Sequence, residues 1–234
     1  MNEWLDTLAH ILKLPSQLVS AELSLYFATS MHPSECVSDE DPPGWGRRDE
    51  LWTIDELLGL YEPAKRRITL YTKGIGHVSE RLGVSPDTIR YLVRVHEHAH
   101  AVFHLGVDQA KSAELAASFL KDDKTLERET VAELSAVFSA VDSYVHEQIA
   151  QLITWLVLVS LHEKAGSEPT KEACKRLQET FKKLMQRQPP QYRLDGLQHL
   201  DEKQLRSRLR SLIDLVRSGD VRGTERSWNT IMTW

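Results

Sequence analysis

Cysteine is scarce in this chain of 234 residues. Its two cysteines, Cys36 and Cys174, lie 138 positions apart and belong to no CxxC pair. A disulfide framework needs several paired cysteines, and a cysteine metal site needs closely spaced ones. The sequence therefore argues against both, and we expect the two thiols to be reduced.

Long apolar runs are absent as well. The longest, residues 149–161, has 13 residues and contains Gln151 and Thr154, whereas a membrane-spanning helix needs about 20. The first residues include Glu3 and Asp6 and lack the basic start and apolar run of a secretory signal. We expect a soluble, cytoplasmic protein with no membrane partner.

The charge of the chain is unevenly distributed. Residues 166–234 hold 14 Lys and Arg against 9 Asp and Glu, whereas residues 1–165 hold 15 against 25. A basic tail on an acidic body favours contact with the body itself, with a regulatory partner or with an acidic ligand. A solvated helical face would explain the same charge. The acidic body argues against nucleic acid as its partner, while the tail leaves that alternative open.

The patterns divide the chain into three parts. Residues 1–49 contain two short helical patterns within residues 3–29 and a loop rich in Pro, Ser, Asp and Gly at residues 32–49. Residues 50–165 form the core domain, and residues 166–234 form a basic helical extension. The composition, 41% hydrophobic and 27% charged, is that of a globular protein.

We predict an α+β fold that is mostly helical, with a small antiparallel sheet and a helical C-terminal extension. Residues 57–61 and 67–71 read as a strand, a turn and a returning strand. Ser85 and Pro86 predict the start of a helix that ends near Leu105, with Gly106 closing it. Further helices are expected at residues 78–82, at residues 108–162 with a break near 121–124, at 168–188 and at 201–217.

Two histidines four positions apart, His96 and His100, occupy the centre of the helix that begins at Pro86. At 3.6 residues per turn they face the same way, within an apolar stripe. Burying two imidazoles costs free energy unless each finds a partner, and one zinc ion satisfies both. Glu97 lies at the edge of this stripe, where it can take a proton from a metal-bound water. This is the H-E-x-x-H arrangement, which predicts zinc-dependent hydrolysis.

The chain resembles the zincin-like metallopeptidases, and most closely the ImmA/IrrE type. The features that match are the strand ending Ile68-Thr69-Leu70-Tyr71 and the helix reading Val95-His96-Glu97-His98-Ala99-His100-Ala101-Val102-Phe103-His104. The resemblance covers about residues 55–160. It implies a zinc cofactor and a specific intracellular protein as substrate. It also implies that residues 67–71 form the edge strand that holds an extended substrate.

The same family takes its third zinc ligand from a glutamate in an E-x-x-A-N-like sequence on a later helix. Residues 147–151, Glu147-Gln148-Ile149-Ala150-Gln151, look like this, with glutamine in place of the usual asparagine. The 46 residues between His100 and Glu147 exceed the spacing of that type, and an inserted helix at about residues 109–120 would explain the difference. Glu133 and Glu129 also begin E-x-x-A sequences and remain alternatives.

Other polar residues near these ligands have weaker assignments. Tyr144 and His146 flank Glu147, and either could donate a hydrogen bond to the developing oxyanion. His104 continues the histidine stripe, but a third residue on one straight helix drifts away from the metal. We therefore expect His104 to support a ligand or to line the wall of the site.

Three rival functions remain. Residues 78–91 resemble the helix-turn-helix of MerR-type DNA-binding regulators, although a histidine stripe inside an apolar face and an acidic body fit that function poorly. A di-iron bundle would need a second E-x-x-H, and Ala150 stands where its histidine would follow Glu147. A zincin that only binds a partner would keep the same ligands and lack hydrolysis.

Overall fold

The computed structural model of the chain describes residues 33–194, together with residues 199–201, 203–205, 207–209 and 211. The helices expected within residues 3–29 lie outside the described residues, as does much of the helix expected at residues 201–217. The described part is mostly helical and includes a small three-stranded sheet. This agrees with the predicted α+β class.

The described residues include three strands and seven helices, in addition to short 3-10 turns and helical residues at 203–205, 207–209 and 211. The strands are β1 (Ser34–Ser38), β2 (Gly59–Glu62) and β3 (Arg67–Tyr71). The helices are α1 (Ile54–Leu57), α2 (Thr72–Leu82), α3 (Pro86–Gly106), α4 (Gln109–Leu120), α5 (Lys124–Ser139), α6 (Ser143–Lys164) and α7 (Glu168–Met185).

The sheet is mixed, and the prediction of an antiparallel sheet was wrong. The predicted hairpin is confirmed, because β2 pairs antiparallel with β3 from Gly59 opposite Leu70 to Glu62 opposite Arg67. However, β1 pairs parallel with β3 on its other side. The strand order β1-β3-β2 therefore places β3 in the centre. The expectation that residues 67–71 form an edge strand was wrong for the same reason.

Strand β1 lies within residues 32–49, which we predicted to be a loop. Its sequence, Ser-Glu-Cys-Val-Ser, has no apolar alternation, and Val37 is 63% exposed. An edge strand with two open faces buries little and so leaves little hydrophobic signal. The strand is held to α3 by Glu35, whose carboxylate lies 3.0 Å from Nε2 of His98 and 2.8 Å from Nε of Arg94.

Helix α3 is the central element of the fold. Its N-terminus matches the prediction, because the Ser85 hydroxyl accepts a hydrogen bond from the Asp87 N–H and Pro86 stands in the first turn. It extends through Gly106, one residue past the predicted end. Fifteen of its residues are buried, and it packs against α6 and β2. The chain therefore buries both histidines inside its main core.

Helices α4, α5 and α6 follow in the region predicted to be helical with a break near residues 121–124. Helix α4 covers the segment proposed as an insertion, and α5 begins after Asp123, whose side chain caps its first turn. Helix α6 begins only at Ser143. Because α5 and α6 are separate helices, Glu129 and Glu133 do not share a continuous helical stripe with Glu147.

The first part of the C-terminal extension packs onto the core domain. Helix α7 lies against α6 and buries Phe181 and Leu184 completely. After it, the Gln151 side chain of α6 donates a hydrogen bond to the Tyr192 carbonyl at 2.7 Å and accepts one from the Leu194 N–H at 3.2 Å. Among the described residues, no helix has the length and apolar character needed to cross a bilayer.

Candidate metal centre

Helix α3 presents the two histidines of the predicted zinc site side by side. The Nε2 atoms of His96 and His100 lie 3.2 Å apart, and their rings are nearly perpendicular. His96 is completely buried and His100 is 3% exposed. Burial lowers the pKa of His96 to about 4, so its imidazole is neutral at pH 7 and can bind a cation.

Helix α6 brings Glu147 to these histidines. Its carboxylate oxygens lie 3.4 Å from Nε2 of His96 and 3.9 Å from Nε2 of His100. The alternatives Glu129 and Glu133 are exposed on α5, and Glu133 pairs with Lys111 at 2.6 Å. Of the three glutamates considered as the third ligand, Glu147 is therefore the one that joins the cluster.

A fourth residue, Asp55 of α1, completes the cluster. Its Oδ1 lies 3.5 Å from Nε2 of His100. Sequence reasoning missed it, because its only local feature is the T-x-x-E capping box of Thr53 and Glu56, which sets the start of a helix rather than a ligand. One Asp without a spacing partner carries no sign of a contact formed 45 residues later in the chain.

The spacing of these four groups suits a single metal ion. One nitrogen or oxygen from each of Asp55, His96, His100 and Glu147 lies within 4.8 Å of all the others. Ligand atoms about 2.0 to 2.2 Å from a tetrahedral zinc lie roughly 3.3 to 3.6 Å apart. The closest pairs in the cluster, at 3.2, 3.4 and 3.5 Å, agree with that spacing. This buried cluster can hold a metal ion.

Several buried atoms of the site have no hydrogen-bond partner among the described residues. They are Oδ1 of Asp55, Nδ1 of His96 and both carboxylate oxygens of Glu97 and of Glu147. Burial and the neighbouring charge of Asp55 raise the pKa values of Glu97 and Glu147 well above the ordinary range. Burying an unpaired carboxylate costs several kcal/mol of free energy unless a cation compensates its charge. The donor set and the unsatisfied oxygens of Asp55 and Glu147 therefore both fit a bound divalent cation.

Glu97 belongs to α3, lies beside β2 and is completely buried. A side chain at Gly59 of β2 would bring its Cβ to 2.9 Å from Oε1 of Glu97 and 2.6 Å from Val93. The backbone of Tyr61 stabilises the ionised carboxylate and opposes the rise in its pKa. The absence of a side chain at Gly59 thus makes room for Glu97. Neither the spacing nor the motif in the sequence indicated this role of Gly59.

His104 does not join the cluster. Its Nδ1 lies 2.8 Å from the Tyr61 hydroxyl and its Nε2 lies 3.1 Å from Oγ of Ser135. Because the Ser135 hydroxyl donates its hydrogen to the Val131 carbonyl, it accepts from Nε2 of His104, and Nδ1 accepts from Tyr61. Both ring nitrogens are therefore occupied. Burial lowers the pKa of His104 to about 3, consistent with this neutral ring.

The two residues proposed as oxyanion donors lie in the first turn of α6. His146 donates from Nε2 to the Val141 carbonyl at 2.9 Å, and its ring packs between Phe138 and Phe103. Tyr144 is partly buried against the core, one helical turn before Glu147. Neither residue belongs to the group of ligand atoms that converge, and their catalytic roles stay predictions.

Comparison of the chain with protein-family models, with curated proteins and with solved structures finds no match. The function is therefore argued from the site itself.

Proposed function

We propose that the protein is a zinc-dependent endopeptidase in which His96, His100 and Glu147 hold the metal and Glu97 is the general base. The observation that carries this proposal is the convergence of the three ligand side chains at metal-ligand spacing, with Glu97 on the same helix. Zinc is the metal we propose, because two imidazoles and a carboxylate suit its preference for nitrogen and oxygen ligands.

The residues would divide the reaction between them. A zinc ion held by the cluster would polarise the scissile carbonyl and lower the pKa of a water bound beside it. Glu97 would take the proton from the water as the water oxygen forms a bond to the carbonyl carbon. Glu97 would then return a proton to the amine nitrogen as the carbon–nitrogen bond breaks. In the metal-free protein, burial raises the pKa of Glu97 and favours its protonated form, whereas a nearby cation would favour the carboxylate that this role requires.

We propose that an extended substrate pairs with β2, not with β3. Strand β2 stands at the end of the described sheet and packs against α3. The Leu58 carbonyl accepts a hydrogen bond from the Tyr71 N–H, so alternate residues Leu60 and Glu62 also bond towards β3. The backbone groups of Gly59 and Tyr61 face away from β3. Apart from the Tyr61 N–H, which stabilises Glu97, they are the groups available to a substrate backbone.

The resemblance to zincin-like metallopeptidases supports a specific intracellular protein as the substrate, and the cytoplasm as the location. A DNA-binding function is less well supported. Exposed side chains of α3 are confined to its first turns at residues 86–91, because from Leu92 onwards the helix is buried apart from the half-buried Arg94, which pairs with Glu35 of β1. A recognition helix needs an exposed face to enter the major groove.

Metal binding and hydrolysis can be tested separately. Purified protein is expected to bind one zinc ion per chain, and the His96→Ala and His100→Ala variants are expected to lose it. His162→Ala is the matched control, because His162 lies half-buried on α6 outside the cluster. Zinc content is measured by elemental analysis after gel filtration. Zinc retained by both cluster variants would contradict the site.

The Glu97→Gln variant distinguishes a peptidase from a protein that only binds zinc. We expect it to keep zinc and to lose hydrolysis, because the amide cannot accept the proton from water. Glu80→Gln, an exposed change on α2, is the control. Cleavage is measured by mass spectrometry on a peptide library. Equal cleavage by the Glu97→Gln variant and the unchanged protein would refute the assigned base.

A further inference from the structure

Asp55 differs from the other three members of the metal-binding cluster because it reaches the surface. Its side chain is 34% exposed, whereas His96, His100 and Glu147 are almost completely buried. Even so, Oδ1 of Asp55 is a buried atom and faces Nε2 of His100 at 3.5 Å. A carboxylate with access to water normally keeps its oxygens hydrated. An oxygen turned inwards therefore calls for a positive partner.

The position of this oxygen corresponds to a fourth ligand. Two imidazole nitrogens and the Glu147 carboxylate supply three ligands, and one carboxylate oxygen of Asp55 lies within 4.8 Å of a ligand atom of each. Zinc sites with four protein ligands are closed, whereas catalytic sites keep the fourth position for water or substrate. Asp55 stands at the position that decides between these two states.

The backbone that carries Asp55 is fixed. Ile54 and Leu57, on either side of Asp55 in α1, are completely buried. Thr53 and Glu56 form a capping box that satisfies the first turn of this helix. Lifting α1 would expose two large apolar side chains, at a cost of roughly 1.5 to 3 kcal/mol each. Rotation of the Asp55 side chain towards solvent costs much less and needs no movement of α1.

We propose that Asp55 is an exchangeable fourth ligand, which closes the metal site at rest and rotates away to admit water and a substrate carbonyl. This inference rests on the proposed metal centre. It assigns to Asp55 a control of access that the three buried ligands do not have. The site is then four-coordinate in the resting protein, and substrate binding competes with Asp55 for the metal.

The test uses the full chain with Asp55→Ala, and with Asp55→Asn as a variant that keeps the shape of the side chain. Asp39→Asn, an exposed change in the loop after β1, is the control. Three quantities are measured: zinc affinity by competition with a chelating dye, the visible absorption spectrum of bound Co²⁺, and the affinity of the loaded protein for acetohydroxamate. Circular dichroism verifies that each variant is folded.

Loss of the fourth ligand is expected to weaken zinc binding by about tenfold or more. It is also expected to change the Co²⁺ spectrum, because water replaces a carboxylate, and to tighten acetohydroxamate binding. The Asp39→Asn variant should behave like the unchanged protein. If both folded Asp55 variants keep the original zinc affinity and Co²⁺ spectrum while His96→Ala loses the metal, Asp55 is not a ligand but the metal centre stands. If the unchanged protein binds no zinc, the proposed function fails as well.

Discussion

Single residues determine whether the buried cluster can exist at all. Three carboxylates, those of Asp55, Glu97 and Glu147, lie close enough for their charges to alter each other's pKa values. Without a cation, burial and mutual repulsion favour the protonated forms of Glu97 and Glu147. The two neighbouring imidazoles, with their nitrogens 3.2 Å apart, face the carboxylates of Asp55 and Glu147. One divalent ion could bind both imidazoles together with Asp55 and Glu147 and offset the nearby charge of Glu97, so the cluster is a candidate metal centre.

Among single residues of the site, Gly59 leaves the least room for an added side chain. We expect Gly59→Ala to lose hydrolysis, because the added methyl group would lie 2.9 Å from Oε1 of Glu97 and 2.6 Å from Val93. Such overpacking costs about 1 to 3 kcal/mol and displaces the base. Zinc content should persist, since no zinc ligand is in that contact. Cleavage rate and zinc content are measured together.

The control for this change is Gly46→Ala. A Cβ at Gly46 meets no atom within 4 Å, so both measurements should be unaffected. Full cleavage activity in Gly59→Ala would show that Glu97 does not need its present position.

The proposed ligands on α3 could be predicted from the sequence because a helix repeats every 3.6 residues. His96 and His100 follow that period, and capping residues at Ser85 and Pro86 locate the helix. Glu147 could be proposed from the family resemblance, but spacing alone did not separate it from Glu129 and Glu133. Glu147 is distinguished from Glu129 and Glu133 by the break between α5 and α6. It is a tertiary feature with a weak local signal.

Asp55 and β1 could not be predicted, for different physical reasons. Asp55 reaches the cluster through the packing of α1, which no local pattern records. Strand β1 is polar and exposed, so its pairing with β3 depends on backbone hydrogen bonds that every residue can make. Missing β1 also led to the wrong place for β3, since one further strand turns an edge strand into a central one.

At the scale of elements, the end of helix α1 lies very close to the backbone of α2. A Cβ at Gly74 of α2 would lie 1.8 Å from the Leu57 carbonyl oxygen. We therefore expect Gly74→Ala to push α1 away, to lower the unfolding temperature and to weaken zinc binding through Asp55. Gly76→Ala is the matched control on the same helix, because its Cβ meets no atom within 4 Å.

Thermal unfolding and zinc titration of the two glycine variants decide this point. If Gly74→Ala is as stable as Gly76→Ala and binds zinc equally well, then α1 does not depend on this contact. That result would also weaken the case for a fixed backbone at Asp55.

At the scale of the whole molecule, the basic extension is not a separable attachment over its described length. Phe181 and Leu184 of α7 are completely buried against the core, and Trp52 donates its backbone N–H to the Arg187 carbonyl at 3.2 Å. Positive charges of α7 such as Lys171 and Arg176 pair with glutamates of the same helix. The sequence indicated a boundary near residue 166 from charge alone, and charge does not report which apolar side chains are buried.

Truncation after residue 165 is therefore expected to destabilise the chain. Removing the buried Phe181 side chain alone costs about 3 to 5 kcal/mol by analogy with other core phenylalanines, and the truncation removes several such contacts. Chemical denaturation of the truncated and full chains measures the difference. The single variant Phe181→Ala shows whether the loss comes from packing, while Lys183→Ala, an exposed change on α7, is the control. Equal stability of the truncated and full chains would contradict a shared core.

Anomalous diffraction at the zinc absorption edge, from crystals of the zinc-loaded protein, tests the metal centre most directly. We predict one strong peak within bonding distance of Nε2 of His96, Nε2 of His100 and the Glu147 carboxylate, with an Asp55 oxygen as the fourth contact in the absence of substrate. A zinc ion bound only elsewhere, or no peak at this cluster, would contradict the metal centre and the peptidase function that depends on it.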